Sequence, residues 1–220
     1  NNAIKQNLIG IKKISKERIL VELLKILNLK SFININESTY LKEIFNFIFP
    51  EFANLKRLER LKKILNFSKI NLILLLAILL IDKDSNHEYF CHKYNVSNDI
   101  QDDLNLLAKN LKLLKNNKDF FTKDIEKYIY LNDKSHLINL NILNFASNSK
   151  YTFKNFSEAM KNILKSKTPK FDIDGKYLMN KGMREGVLLG KVLRKIEEEW
   201  MKNNFKISDD RVQEIIKQNS

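Results

Sequence analysis

Breaks are what this chain lacks. Across 220 residues, only Pro50, Pro169 and five glycines interrupt it. Proline lacks a backbone donor and glycine is conformationally loose, so these are the residues that disfavour helix interiors. A chain this poor in both is expected to fold as a succession of helices. No stretch alternates apolar and polar residues for long enough to require a strand. The sequence therefore predicts an all-α fold, a multi-helix elongated array with no sheet.

Local signals place the helices. Ser15 precedes Ile19, Leu20, Leu23, Leu24 and Leu27, which share one helical face, and is read as the N-cap. A second helix is expected from near Ser38 to before Pro50, burying Leu41, Ile44, Phe45 and Ile48. In LKRLERLKKIL (residues 55–65), Leu55, Leu58, Leu61 and Leu65 are expected inside. Lys56, Arg57, Arg60, Lys62 and Lys63 are then outside or on the flank. INLILLLAILLI (70–81) is too short to span a bilayer, which takes roughly 20 apolar residues, and reads as a buried core helix. No membrane partner is expected. Ser97 is placed as the cap of a helix carrying Ile100, Leu104, Leu107, Leu111 and Leu114. Further helices fit 119–131, 134–147 and 155–166, with the polar stretch 148–154 as a boundary.

The net charge is +13, nearly all of it from lysine. Lysine, asparagine and isoleucine are all over-used, as AT-rich coding DNA would produce, so the total is weak evidence for a polyanionic partner. Its distribution says more. Residues 1–69 carry a net +8, residues 70–150 are neutral and residues 151–220 carry +5. Two basic ends around a neutral middle suit a protein that grips a polyanion at two places. The single cysteine, Cys91, leaves no internal disulfide framework and points to a reducing compartment. The expected location is cytoplasmic.

Few residues suggest chemistry. His87 and Cys91 are four apart with His92 adjacent, but a structural zinc wants four ligands and no others lie nearby. Asp172 and Asp174 form a DxD pair of the kind that holds Mg²⁺, yet no glycine turn precedes it and no third carboxylate is evident. Asp174 reads better as the cap of a helix beginning near Lys176. No catalytic residue and no metal site are assigned to this chain.

Glycine is concentrated in one place. Gly175, Gly182, Gly186 and Gly190 all fall in DGKYLMNKGMREGVLLGKVLRKIEEEWMKNNF, residues 174–205. Gly182 suits a turn. Gly186 and Gly190 stand one turn apart near a helix start, where a bare backbone admits either a second helix or a phosphate. Lys191, Arg194 and Lys195 follow on the same helix, either as phosphate contacts or as a solvated face beside Glu197, Glu198 and Glu199.

Two stretches carry a resemblance. ISKERILVEL (14–23) resembles the neck motif of class II tRNA nucleotidyltransferases, the CCA-adding enzymes, and of the related bacterial poly(A) polymerases. Ser15, Glu17, Arg18, Ile19, Glu22 and Leu23 match that pattern. The glycine stretch resembles the tail of the same enzymes at Gly175, Leu178, Met179, Gly182, Gly186, Gly190, Leu193, Trp200 and Phe205. Tyr177 stands where the family usually has Asp, and Glu185 where it often has Pro. The family's catalytic head, with its DxD metal site and Glu-Asp-x-x-Arg nucleotide selector, has no counterpart in this sequence. The chain begins with Asn1 rather than Met.

The resemblance implies a neck, body and tail without the head. It divides the chain into the end of the neck (1–33), a helical body (34–147) and a helical tail (148–220). It implies tRNA as the partner, held along its acceptor and T arms for 3′-terminal CCA addition, with Mg²⁺ and CTP or ATP needed only by the head. Ser15, Glu17, Arg18 and Glu22 would organise the neck. Lys176, Arg184, Gly186, Gly190, Lys191, Arg194 and Lys195 would contact RNA. The alternatives are a portion of a poly(A) polymerase and a helical protein-interaction module.

Overall fold

The apolar spacing that runs through the sequence becomes helix after helix in a computed structural model that describes residue 10, residues 14–66 and residues 70–219. Among the described residues there is no strand, and the chain is an all-α array. The helices are α1 (Lys16–Leu27), α2 (Thr39–Ile48), α3 (Leu58–Lys62), α4 (Leu72–Leu80), α5 (Asn86–Tyr94) and α6 (Asn98–Asn116). They continue as α7 (Ile125–Asn132), α8 (Lys134–Ser147), α9 (Phe153–Lys165), α10 (Gly175–Asn180), α11 (Val187–Lys202) and α12 (Asp209–Lys217). Two 3₁₀ segments, Lys30–Glu37 and Leu55–Arg57, precede α2 and α3.

The short run 70–81 is the axis of the larger part. In α4, every residue from Leu74 to Leu80 is buried, and α1, α5, α6 and α8 pack around it. A helix that is apolar all round has no face to give to water, so its neighbours must enclose it. Its start is capped by Asn71, whose Oδ1 accepts from Leu74 N at 2.8 Å. Its C-terminal carbonyls need other donors, because a helix end leaves them unpaired. Arg57 Nη1 donates to Ile78 O at 2.8 Å and Ile81 O at 2.7 Å, and Asn54 Nδ2 to Leu79 O at 3.1 Å.

The end of α8 is closed the same way by Arg60. Its Nε donates to Phe145 O at 2.7 Å, and its Nη2 to Asn148 O at 3.2 Å and Tyr151 O at 2.6 Å. The guanidinium also lies 4.4 Å from the centre of the Phe145 ring. This corrects the sequence reading of residues 55–65. That stretch is no single amphipathic helix: a 3₁₀ turn leads into the short α3, Leu65 is exposed, and two of the cations expected outside or on the flank reach into the fold. Periodicity cannot reveal that a guanidinium, with several donors in a rigid fork, is the group best able to satisfy several carbonyls at once. Leu41, also expected inside, is 54% exposed, whereas Phe45, expected inside with it, is buried. Phe45 belongs to an aromatic cluster with Phe32, Phe49 and Phe52, extended through Phe90 to Tyr94.

Buried apolar residues fall into two clusters. The larger runs from Leu23 to Ile163 and the smaller from Leu178 to Ile216. The polar stretch 148–154, expected as a boundary, lies inside the larger cluster's span. There α9 packs along α8, and Arg60 ties the connecting turn to α3. The smaller cluster joins Leu178 of α10, Val192 and Ile196 of α11, and Val212, Ile215 and Ile216 of α12. Tyr130 of α7 reaches α11. Its ring meets Trp200 at 5.1 Å, and its hydroxyl donates to Glu197. Burial, then the Glu197 carboxylate, push its pKa up to about 12. After α11 the chain reverses through Asn204 and Phe205, both at positive φ. That uncommon conformation places the Phe205 ring 4.9 Å from Trp200.

Candidate nucleic-acid interface

The neck motif is partly an anchor. Ser15 Oγ accepts from Arg18 N at 3.3 Å and caps α1. Glu17 accepts from Asn95 Nδ2 at 2.9 Å, which ties the first turn of α1 to the residue after α5. Hydrogen bonds from its own backbone N–H, then from Asn95 and Ser15, hold the Glu17 carboxyl below the usual carboxylate range. Glu22 pairs with Lys25 at 2.9 Å on the exposed face. The Arg18 side chain is exposed and has no hydrogen-bond or ion-pair partner among the described residues. The motif thus supplies two organising residues, Ser15 and Glu17, and one arginine turned to solvent.

In the tail, Asp174 Oδ1 accepts from Tyr177 N at 2.8 Å and caps α10, as its position in the sequence implies. Tyr177, the departure from the family pattern, is used in the fold: its hydroxyl donates to Asp209 Oδ1 at 2.7 Å and joins α10 to α12. The four glycines have different reasons to be there. Gly182 turns the chain at φ +99° and Gly186 precedes α11 at φ +147°, both values that L side chains rarely adopt. A Cβ at Gly175 would stand 3.3 Å from Leu189 Cδ2. At Gly186 and Gly190, an added Cβ would meet nothing within 4 Å. No described residue therefore packs against those two positions.

Around them stand the expected cations. Lys176, Arg184, Lys191, Arg194 and Lys195 are all exposed, and none has an ion-pair partner among the described residues. The alternative reading, a face neutralised by Glu197, Glu198 and Glu199, is weakened by where two of those acids go. Glu197 accepts from Tyr130, and Glu199 holds Arg211 of α12, with Nη2 to Oε2 at 3.0 Å. The Arg211 hydrogen bond, more than any charge on α11, lowers the Glu199 pKa. Only Glu198 stays exposed beside Arg194 and Lys195.

This placement contributes nothing to helix stability. Lys191 and Lys195 are like charges at i,i+4, a pairing that disfavours a helix by roughly 0.2–0.5 kcal/mol. Arg184 and Lys191 also stand near the start of α11, where the helix dipole favours anions. The first N–H groups of α11 have no side-chain cap, because residue 186 is glycine. The sequence reading missed Val187 and Leu188 at the same helix start, 80% and 49% exposed. Apolar residues at helical spacing read as core, and nothing in the sequence marks these as open.

The other candidate chemistry does not assemble. His87 and Cys91 are buried, whereas His92 is exposed. Burial pushes the Cys91 thiol up to about 11, away from a reactive thiolate. Asp172 pairs with Lys170 at 2.8 Å while Asp174 caps its helix. No three His, Cys, Asp or Glu side chains converge as metal ligands among the described residues. None of the described helices is long and apolar enough to cross a membrane.

Comparison with known proteins bears on the other end of the chain. No curated protein matches this sequence. Residues 1–56 match a family model described as the probable RNA and SrmB-binding site of polymerase A. The match takes in the neck motif, α1, the Lys30–Glu37 segment and α2, and stops before α3; the cationic face of α11 lies outside it.

Proposed function

We propose that this chain is the tRNA-binding neck, body and tail portion of a CCA-adding tRNA nucleotidyltransferase. In this reading residues 1–33 end the neck, and the body and tail lie along the acceptor and T arms. Addition of CTP and ATP belongs to the family's catalytic head. The observation that carries the reading is the match of residues 1–56 to an RNA-binding region of the polymerase A family. The unpaired cations at the start of α11 support it from the other end of the chain. Two basic regions on one elongated helical array suit a folded RNA better than a short single strand.

The chain's own residues do not fit the Mg²⁺ of nucleotidyl transfer. Its one DxD pair is divided between a surface ion pair and a helix cap. No catalytic step is therefore assigned to it, and its proposed work is holding and positioning RNA in the cytoplasm. The matched description names polymerase A, which favours a poly(A) polymerase portion as the second reading.

Competition binding tests both. Labelled tRNA lacking its CCA end is bound to the chain and displaced with unlabelled tRNA or oligoadenylate. The proposal expects tRNA to be the better competitor by tenfold or more. Preference for oligoadenylate would transfer the chain to the second reading. Absence of salt-sensitive binding to either RNA would remove both and leave a protein-interaction module.

A further inference from the structure

Where α6, α7 and α8 meet, three side chains form a hydrogen-bond relay that ends on a backbone carbonyl. Asn110 of α6 is buried, only 4% exposed. Its Nδ2 lies 3.2 Å from Asn132 Oδ1, at the end of α7, and 2.9 Å from His136 Nε2, in the first turn of α8. Asn132 Nδ2 in turn donates to Tyr128 O at 3.2 Å. The chain passes from α7 to α8 through the single residue Asp133, held at φ +82°. That conformation is costly for any residue but glycine, so the junction is strained. Asp133 Oδ1 accepts from His136 N at 2.7 Å and caps α8.

A side-chain amide can be turned over without a change of shape, and a neutral histidine can carry its proton on either nitrogen. The end of the relay removes both freedoms. A backbone carbonyl only accepts, so the group facing Tyr128 O is the NH₂ of Asn132. That leaves Asn132 Oδ1 facing Asn110, which therefore presents its own NH₂. Both hydrogens of that group are then used, one on Asn132 Oδ1 and one on His136 Nε2. Nε2 accepts, so the imidazole is neutral and its proton is on Nδ1. Burial holds the His136 pKa below the ordinary histidine range, against the opposing charges of Asp133 and Asp103.

A proton added at Nε2 meets no consistent arrangement. It would set N–H against N–H. Turning Asn110 over would set its Oδ1 against Asn132 Oδ1, and turning Asn132 as well would set Oδ1 against Tyr128 O. A mismatched group in a buried network loses more than the matched pair contributes. We propose that the relay is an acid-sensitive latch: protonation of His136 unfastens the end of α7 from α6 at the strained Asp133 junction. The effect reaches the tail, because Tyr130, two residues before Asn132, carries the contact of α7 with Trp200 and Glu197 of α11. The stability that the relay contributes is complete above the ordinary histidine pKa, about 6.5, and is lost as pH falls through the lower value of the folded chain. The latch is independent of whether the chain binds RNA.

Nitrogen NMR of the imidazoles in the whole chain reads the tautomer directly. His136 is expected in the Nδ1–H form at about pH 7.5, with a titration midpoint below about 6.5. An Nε2–H form, or a midpoint at or above about 6.5, would overturn the proposal. Trp200 fluorescence tests the reach to the tail. Between about pH 7.5 and about pH 5 it is expected to change with the midpoint of His136. Buried His87, whose pKa burial also lowers, carries an acid sensitivity of its own, so the comparison is between variants. His136→Gln, which offers an amide oxygen in place of Nε2 and takes up no proton, is expected to lose the Trp200 change, whereas His92→Gln, at an exposed site, keeps it. Over the same range the melting temperature of His136→Gln is expected to fall about 2–4 °C less than that of the parent. A Trp200 transition that survives in His136→Gln, or equal acid losses of melting temperature in the two proteins, would overturn the latch. Should His136→Gln not fold, the tautomer and midpoint of the parent decide alone.

Discussion

Arg60 and Arg194 carry the same charge and work in opposite ways. Arg60 reaches into the larger cluster and binds two carbonyls at the end of α8 and a third, that of Tyr151, in the turn that follows. Arg194 stands on α11 in solvent, beside Lys191 and Lys195, with no partner among the described residues. The segment 55–63 and the segment 184–195 look alike in sequence, each a helical stretch with leucines on one side and cations on the other. In the first, the arginines have become internal cross-links. In the second, the cations remain available. Positive charge in a sequence is therefore no measure of positive surface; what decides is whether nearby helix ends leave carbonyls that need donors.

The comparison breaks most visibly at Arg60. Arg60→Ala is expected to cost about 3 kcal/mol, because three carbonyls lose a charged donor in a partly buried site. Arg60→Lys should recover little of that, since an ammonium cannot reproduce the fork. Urea unfolding of the two variants checks this, and a midpoint unchanged in Arg60→Ala would count against the cross-link. Gly186→Val comes next, at about 1–3 kcal/mol, because a β-branched residue is strained at φ +147°. The loss should appear in α11, which carries the chain's single tryptophan, Trp200, as a fluorescence reporter. An unchanged Trp200 transition would mean that the turn before α11 adopts another conformation.

Much of this architecture is legible in the sequence, and the exceptions share a cause. The scarcity of proline and glycine gives the all-α class, and Ser15, Ser38 and Asp174 mark helix starts where the structure has them. The buried run 70–81 is equally plain. What periodicity misreads is the polar half of the pattern. It puts Arg57 and Arg60 outside or on the flank because it counts charge, not unpaired carbonyls. It puts Leu41 inside because it counts apolar residues and cannot see that no helix comes to cover it. The tail cations are visible as residue types, yet their lack of partners depends on where Glu197 and Glu199 turn. That in turn depends on Tyr130 and Arg211, which are distant in sequence.

Two smaller substitutions sharpen the contrast within the tail and neck. Ser15→Ala removes the cap of α1 and is expected to cost ~1 kcal/mol. An unchanged thermal midpoint would argue that Oγ is not the operative acceptor for Arg18 N. Gly190→Ala should act in the other direction, stabilising α11 by up to about 1 kcal/mol, since alanine favours a helix interior and the added Cβ meets nothing within 4 Å. If the bare stripe exists for the close approach of RNA, the same variant should bind tRNA more weakly while melting higher. A variant that gains stability and keeps its affinity would leave Gly190 without a binding role.

The most direct measurement is tRNA affinity against salt for the parent chain and for the chain with Lys191, Arg194 and Lys195 all replaced by Ala. Stability should change by no more than about 0.5 kcal/mol, because these side chains are exposed and unpaired. Affinity should fall, and the slope of log affinity against log salt should flatten by roughly 0.7–0.9 for each phosphate that the variant no longer neutralises. Equal affinity of the two proteins at every salt concentration would contradict the account, and would place the RNA grip elsewhere than on α11.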